Sequence, residues 1–267
     1  MRLGIMQPYF FPYLGHFALI ANVDSWVVFD VTQYTRKSWI SRNRVLHPAA
    51  GTNWINVPLK HSSISIKIHE AKILDLNATA KSTVGKLSHY RHRAPFYRQV
   101  EELVIATFAA SGDDDSLVNL NVNGLDILCE YLGIPFQRQI CSQMSLPFRT
   151  EMGAGDWAPE ICRLIGATSY LNPISGRVLF DPKKFDDIGV SLAFLSMAEF
   201  KYDTAPFEFI PHLSIIDVLM WNSPETVRNA IKMCASIDQA RATGCDDCTY
   251  GVVHPRFSAA NRSICRG

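Results

Sequence analysis

Short apolar runs alternate with amphipathic segments along most of this chain, and that alternation limits its fold more than any other feature. Five runs have the length of a buried strand: 3–6, 26–29, 136–142, 168–171 and 190–195. Helical spacing of apolar residues marks the segments 97–110, 117–132, 157–165, 213–222 and 224–234. Strands that alternate with helices form parallel sheets. The sequence therefore predicts an α/β fold: a mostly parallel, Rossmann-like sheet flanked by helices, with a helical C-terminal part.

Size and charge limit the domain organisation and the class of partner. The 267 residues, 48% of them hydrophobic, suffice for a sizeable core. We expect an α/β domain over residues 1–228, with a helical subdomain at about 80–132, and a C-terminal extension over 229–267. A formal net charge of +1 disfavours nucleic acid as a partner. Since no apolar stretch approaches the ~20 residues of a membrane span and no signal peptide is recognisable, we expect a soluble, cytoplasmic protein.

The segment between the first predicted strand and the first helix combines polar and aromatic side chains. Gln7 follows the strand, Pro8 and Pro12 stiffen the loop, and His16 opens the helix. Open parallel sheets bind ligands beyond the carboxyl ends of their strands, near helix N-termini. We therefore predict a site here, with Gln7, Tyr9 and His16 near the reacting groups. The alternative interpretation is a loop that only covers the end of the sheet.

A basic and aromatic segment follows at 34–44. Cations interleaved with aromatic rings suit an anionic ligand such as a nucleotide phosphate, whose ring would stack. The candidate ligands here are Tyr34, Lys37, Arg42, Asn43 and Arg44. The alternative interpretation is a solvated basic edge.

A second polar loop follows the predicted strand at 168–171 and should open at the same edge of the sheet as Gln7. Its candidate ligands are Asn172, Ser175, Gly176 and Arg177. Asn-Pro and Ser-Gly are also ordinary turn dipeptides. Asp217 follows Ser214 in a capping-box-like layout, which gives it a structural role at the start of a helix. A role for Asp217 in the site stays open.

Metal sites are not predicted. Asp113, Asp114 and Asp115 precede a helix, where acidic residues are favoured for electrostatic reasons. Near the C-terminus, the potential zinc ligands are Cys245, Cys248, His254 and Cys265. Their spacing matches no common zinc module, so exposed thiols are the favoured interpretation. Free thiols buried in the fold are expected at Cys129, Cys141, Cys162 and Cys234.

Several motifs together resemble the WbqC-like protein family over roughly residues 3–223. They are Ile5-Met-Gln-Pro-Tyr-Phe-Phe-Pro-Tyr-Leu-Gly-His-Phe, Asp30 to Tyr34 with Trp39-Ile-Ser-Arg-Asn-Arg44, Glu130-Tyr-Leu-Gly-Ile134, Ile165-Gly-Ala-Thr-Ser-Tyr-Leu-Asn-Pro with Ser175-Gly-Arg177, and Leu213-Ser-Ile-Ile-Asp-Val-Leu219. The resemblance implies a bacterial protein of lipopolysaccharide O-antigen or other surface-glycan synthesis. It further implies a transferase that adds glycine or another acyl group to an amino sugar. Position 16 is often Tyr in that family, whereas this chain has His.

We therefore expect an acyl or aminoacyl transferase acting on a nucleotide-linked amino sugar, with an activated acyl donor or ATP as co-substrate. His16 is the first candidate for the general base and Asp30 the second. One alternative is an ATP-using adenylyl- or nucleotidylyltransferase, because Gly15-His16 after a strand is similar to part of the His-Ile-Gly-His signature of such enzymes. The other alternative is a non-catalytic protein that binds a nucleotide sugar or a glycan.

Overall fold

A six-stranded sheet with helices on both faces organises the computed structural model, which describes residues 1–60 and 65–240. The strands are β1 (Arg2–Met6), β2 (Ser25–Val28), β3 (Arg42–Leu46), β4 (Thr52–Asn56), β5 (Arg138–Ile140), β6 (Ser169–Pro173), β7 (Ser191–Met197) and β8 (Ala235–Gln239). The helices are α1 (Leu14–Ile20), α2 (Leu76–Leu87), α3 (Tyr97–Ala109), α4 (Leu117–Leu132), α5 (Trp157–Ile165), α6 (Pro182–Asp186), α7 (Ile215–Trp221) and α8 (Pro224–Cys234). Short 3-10 turns span Ile68–Glu70, Ser88–Tyr90, Cys141–Gln143 and Ile174–Leu179.

The strand order of the main sheet is β5-β2-β1-β6-β7-β8, and β3 and β4 form a separate antiparallel hairpin. Neighbouring strands of the main sheet are parallel except for β7 and β8. The predicted α/β class with a mostly parallel sheet is confirmed.

Alternating side chains of the strands enter two cores, one on each face of the sheet. On β2, Trp26 and Val28 join the core formed with α1, α3, α4, α7 and α8, whereas Val27 joins the core formed with α5 and α6. Each fully buried large apolar side chain contributes about 1.5–3 kcal/mol. Because both faces are covered, the parallel strands read as nearly continuous apolar runs in the sequence.

Local signals located several elements correctly. The predicted helices at 117–132, 157–165 and 224–234 coincide with α4, α5 and α8. Gly133 ends α4 with φ +62°, a conformation that favours glycine over any side chain with a Cβ. The apolar alternation of residues 62–73, for example Ile66 and Ile68, predicts a short strand, but its described part, 65–73, contains the 3-10 turn Ile68–Glu70 and no strand.

The expected C-terminal extension begins inside α8, and β8 then pairs with β7 through Ile237 opposite Leu195. Residues 235–239 therefore form a strand of the main sheet, and residues 229–234 complete α8. The potential zinc ligands of the tail, Cys245, Cys248, His254 and Cys265, lie outside the described residues. Cys129, Cys141, Cys162 and Cys234 are free thiols. Among the described helices, none has the length and apolar character needed to cross a bilayer.

Candidate functional site

The order of the strands reverses at β1, and this point of the sheet carries both predicted loops. The chain passes from β1 to β2 and β5 on one side and places β6 and β7 on the other. Gly4 of β1 lies opposite Leu171 of parallel β6, so the loops that follow these strands leave from the same edge. Ligands of open α/β sheets bind in the crevice at such a reversal. The fold thus brings residues 7–13 and 174–179 to one sheet edge.

The first loop is held rigidly by side chains that come from far along the sequence. The Nδ2 group of Asn43 donates to the carbonyls of Phe10 and Phe11 at 3.1 and 2.8 Å. The hydroxyl of Ser214 donates to the Phe11 carbonyl at 2.7 Å. Phe11 has φ +42°, a strained conformation that costs about 1–3 kcal/mol for a bulky residue. Asn43, predicted to bind substrate, thus holds the backbone of this loop.

His16 lies beneath the loop in the core. Its ring is 1% exposed, and neither ring nitrogen has a hydrogen-bond partner in the part of the chain that the structure describes. The ring centroids of Trp26 and Tyr9 lie 5.1 and 5.6 Å away. Burial lowers the pKa of His16 to about 3 and is the main reason that the pKa of Tyr9 rises to about 12. Both side chains are therefore neutral near pH 7, and the base role predicted for His16 gains no support from this environment.

The other predicted groups at the ends of β1 and β2 also have internal partners. The side-chain amide of Gln7 lies 3.5 Å from the hydroxyl of Thr32. Asp30 is fully buried, and its two carboxylate oxygens accept bonds from the backbone N–H of Ser142 at 2.9 Å and from its hydroxyl at 2.6 Å. Asp30 thereby connects the ends of β2 and β5, which leaves little capacity for it to act as a base.

The loop after β6 has a buried half and an exposed half. Asn172 is buried, and its side-chain oxygen accepts a bond from the hydroxyl of Tyr170 at 2.8 Å. A Cβ on Gly176 would lie 2.1 Å from Nδ2 of Asn172, so this close approach requires glycine. The guanidinium of Arg177 lies 4.7 Å from the ring centroid of Phe194. The predicted polar residues that this loop exposes to solvent are Ser175 and Arg177.

Four side chains of the 34–44 segment and the hairpin form a surface that we call the arginine–tryptophan face: Trp39, Arg42, Arg44 and Trp54. The two indoles stack with centroids 5.7 Å apart. The Cζ atom of Arg42 lies 4.1 Å from the Trp54 centroid, and that of Arg44 lies 5.5 Å from the Trp39 centroid. Alternation along β3 explains the grouping, because residues 42 and 44 share one face of the strand and Asn43 takes the other.

The guanidinium groups of this face have no anionic partner in the part of the chain that the structure describes. No carboxylate of residues 1–60 or 65–240 forms a salt bridge with Arg42 or Arg44. The Nε atoms of both residues are buried without a hydrogen-bond acceptor, and burial lowers the pKa of Arg44. Partly desolvated cations without partners are unfavourable, and an anion supplied by a ligand would relieve that cost. A phosphate can accept paired hydrogen bonds from such a guanidinium while a ring stacks on the indoles.

The arginine–tryptophan face adjoins the first loop. The carbonyl of Trp39 accepts a bond from the Phe10 backbone at 2.9 Å, and the carbonyl of Arg44 accepts one from the Ser214 backbone at 2.9 Å. Of the remaining predicted ligands in this segment, Lys37 is exposed, whereas Tyr34 is buried with its hydroxyl 2.6 Å from that of Ser41.

Asp217 supports this region from inside the core. Its carboxylate accepts hydrogen bonds from the hydroxyls of Tyr90 and Tyr202 and from the backbone of Leu46. Burial raises its pKa to about 6, against the opposing effect of those bonds. Ser214 caps α7 as expected, but the carboxylate of Asp217 does not complete a capping box. It holds the end of β3, the strand that carries Arg42 and Arg44.

Two residues important for this geometry were not among the sequence candidates. Trp54 lies opposite Arg44 in the hairpin, a pairing that requires the register of β3 and β4. Asn121 donates from Nδ2 to the carbonyls of Pro8 and Ile40, both at 2.8 Å. Its only signal in the sequence is a polar residue on the apolar face of a helix.

Comparisons with known proteins agree with the resemblance seen in the motifs. The model of the WbqC-like protein family matches residues 7–229. The uncharacterized protein Rv1507c of Mycobacterium tuberculosis (strain ATCC 25618 / H37Rv) is 27% identical over 220 residues, which cover 82% of this chain and 92% of that protein. No solved structure matches the chain.

Proposed function

The chain belongs to the WbqC-like protein family, and we propose that it is a transferase of bacterial surface-polysaccharide synthesis of the O-antigen type. The reaction adds an acyl or aminoacyl group to an amino sugar that is linked to a nucleotide. The observation that carries the proposal is the pair of guanidinium groups, Arg42 and Arg44, that lie against stacked indoles without any carboxylate partner in the described chain.

The chemistry of this face favours a nucleotide-linked sugar over a free sugar. A free sugar has no charge to satisfy two guanidinium groups, whereas the diphosphate of a nucleotide sugar offers several anionic oxygens. The stacked rings of Trp39 and Trp54 add a flat apolar surface for a base or a sugar ring. The amino-sugar acceptor and the acyl transfer come from the family resemblance, and the activity is proposed for the cytoplasm, where nucleotide-linked sugars are available.

Two alternatives differ in what they require of the same residues. An ATP-using adenylyltransferase would need Gly15-His16 to contact phosphates, and the burial of His16 disfavours that contact. A protein that binds nucleotide sugars without catalysis would use the arginine–tryptophan face unchanged. It is favoured by the burial of both predicted bases, His16 and Asp30, and by the bonds of the Asp30 carboxylate to Ser142.

Binding and turnover test the proposal separately. Trp39 and Trp54 report binding directly, so UDP-linked amino sugars are titrated by tryptophan fluorescence. Charged hydrogen bonds contribute about 1.5–3 kcal/mol each, so Arg42→Gln and Arg44→Gln should each weaken binding by about 10- to 100-fold. Arg98→Gln, which removes an exposed arginine of α3, is the matched control. Equal affinity of the Arg42 and Arg44 variants and the wild type would exclude this face as the binding surface.

Catalysis is assayed by mass spectrometry of the same amino sugars incubated with acyl thioesters, acyl phosphates, or ATP with amino acids. A mass increase equal to the acyl group supports the transferase. Release of pyrophosphate without an acylated sugar points to the adenylyltransferase. Tight binding with no product from any donor supports the non-catalytic alternative.

A further inference from the structure

A cavity lies at the same edge of the sheet as the two loops, beyond the ends of β2 and β5. Its volume is about 320 Å³. This volume is near the lower end of small-molecule pockets, which span about 300–1,000 Å³, and it suits a single ring. The polar side chains that line it include Asp30, His69, Lys72, Asp114, Ser142 and Gln143. Apart from Asp30, none of these was a candidate from the sequence.

His69 is held in the wall of this cavity by two contacts with the carbonyl of Asp30. Its backbone N–H donates to the carbonyl of Asp30 at 3.0 Å, and its Nδ1 lies 3.1 Å from the same oxygen. A carbonyl oxygen only accepts, so Nδ1 carries a hydrogen, and in the neutral ring the lone pair is on Nε2. Within residues 1–60 and 65–240, Nε2 has no hydrogen-bond partner. The ring is half-buried in the wall of the cavity.

The charges around the cavity favour an amine over a phosphate. Two acidic residues, Asp30 and Asp114, are among its lining residues. The buried carboxylate of Asp30 is bonded to Ser142, and that of Asp114 accepts bonds from the Ser116 backbone and the Asn119 side chain.

Among the described lining residues the one lysine is Lys72, whose Nζ lies 3.0 Å from the carboxylate of Asp115, a group that it shares with Lys60. The cavity therefore differs from the arginine–tryptophan face, where neither Arg42 nor Arg44 has a carboxylate partner among the described residues. A nucleotide-linked amino sugar offers a group to each surface: phosphates for the arginine–tryptophan face and an amine for the cavity.

One helix connects the cavity to the arginine–tryptophan face. The start of α4 supplies Asn119 to the wall of the cavity. Two residues later, Asn121 bonds the carbonyl of Ile40, which directly follows Trp39. The two surfaces are thus held in a fixed relation by α4.

We infer that this cavity holds the amino group that is acylated and that Nε2 of His69 is the general base, an inference that rests on the proposed function. The neutral amine nitrogen attacks the carbonyl carbon of an activated acyl compound, a thioester or an acyl phosphate. The new C–N bond forms while one N–H proton passes to Nε2 of His69. The bond from the carbonyl carbon to the leaving group then breaks, and the leaving group takes the electron pair. The imidazolium returns its proton to the leaving group or to water.

The decisive variant is His69→Asn. The amide of asparagine can still donate to the Asp30 carbonyl in place of Nδ1, but it has no lone pair at the position of Nε2. General bases contribute about 100- to 10,000-fold, so kcat should fall by at least about 100-fold while the Kd for UDP-glucosamine stays within about twofold. His92→Asn, at an exposed histidine, is the matched control and should keep wild-type kcat. A His69→Asn enzyme with kcat within threefold of wild type would overturn the assignment.

Imidazole ¹⁵N NMR of the wild-type protein tests the site without relying on turnover or on the folding of a variant. Before ligand is added, the His69 ring should show the Nδ1–H tautomer. UDP-glucosamine should shift the Nε2 resonance, and UDP alone should leave it unchanged. If no acyl donor gives product but this shift occurs, the proposed function fails and the amine site stands. If UDP-glucosamine binds without shifting Nε2, the amine site is refuted even where acyl transfer is observed.

Discussion

Replacing His16 by leucine should remove an acid sensitivity that the buried imidazole imposes on the fold. His16 is 1% exposed, and its pKa falls from the ordinary 6.5 to about 3 because burial penalises the charged ring. The folded state therefore keeps the ring neutral, while the unfolded chain takes up a proton below pH 6.5. Stability from this group is complete above pH 6.5 and is lost as the pH falls toward 3.

The size of the effect follows from the difference between the two pKa values. Each pH unit within the window costs about 1.4 kcal/mol, so the wild type should lose about 2 kcal/mol between pH 7 and pH 5 through His16 alone. Leucine has a similar volume and no titrating group. It also removes two buried ring nitrogens without hydrogen-bond partners in the described structure. The unfolding free energy of His16→Leu minus that of the wild type should therefore increase by about 2 kcal/mol as the pH falls from 7 to 5.

Urea unfolding followed by circular dichroism at pH 7, 6 and 5 measures this difference. Asp217 and every other titrating group occur in both proteins, so their contributions cancel when the two are compared at each pH. His92→Leu, at an exposed position, should follow the wild type throughout. If the difference between His16→Leu and the wild type changes by less than about 0.5 kcal/mol over this range, the inference of a neutral buried ring is refuted.

Three other predictions concern groups whose roles differ from the sequence expectation. Burial raises the pKa of Asp217 from 3.8 to about 6, so this group favours folding at low pH, and its ionisation should cost about 2 kcal/mol as the pH rises from 4 to 7. Asp217→Asn should lack this loss in the same urea titration, and a retained slope would contradict it. Asn43→Ala leaves the carbonyls of Phe10 and Phe11 without their donor and should lower the unfolding free energy by about 2–4 kcal/mol. Arg42→Gln should leave the unfolding free energy nearly unchanged. Equal stability of the two variants would show that Asn43 does not stabilise the loop. A chain that ends at Arg228 lacks Ile231 of the core and all of β8, so its thermal midpoint should fall well below that of a chain that ends at Ala240, and equal midpoints would show that the edge strand is dispensable.

Elements whose signals are local were predictable from the sequence. The apolar period of 3.6 residues and the terminal glycines locate α4 and α5 because both signals lie within the element itself. The alternation of strands and helices was enough for the α/β class, and with it for the shared edge of the loops after β1 and β6. By contrast, α2 has a largely polar sequence that carries no such period, and β8 is recognisable only through its pairing with β7.

Roles of individual side chains were decided by contacts that no local pattern contains. Whether Asn43 faces a ligand or the loop depends on the register of the hairpin, and the state of His16 depends on the burial that α1 imposes. Burial in the core raises the pKa of Asp217, and its carboxylate accepts bonds from Leu46 and Tyr90, which lie more than a hundred residues earlier in the chain.

The sequence by itself therefore determined the class of fold, the family and the sheet edge where the polar loops meet. The tertiary structure decided which polar groups at that edge are already satisfied and which still lack a partner. The reason is physical: secondary structure follows from periodicity within a dozen residues, whereas desolvation and hydrogen bonding depend on every neighbour that the fold brings close. His69 shows the difference, because its free nitrogen is defined only by a bond to the carbonyl of Asp30, 39 residues away in the chain.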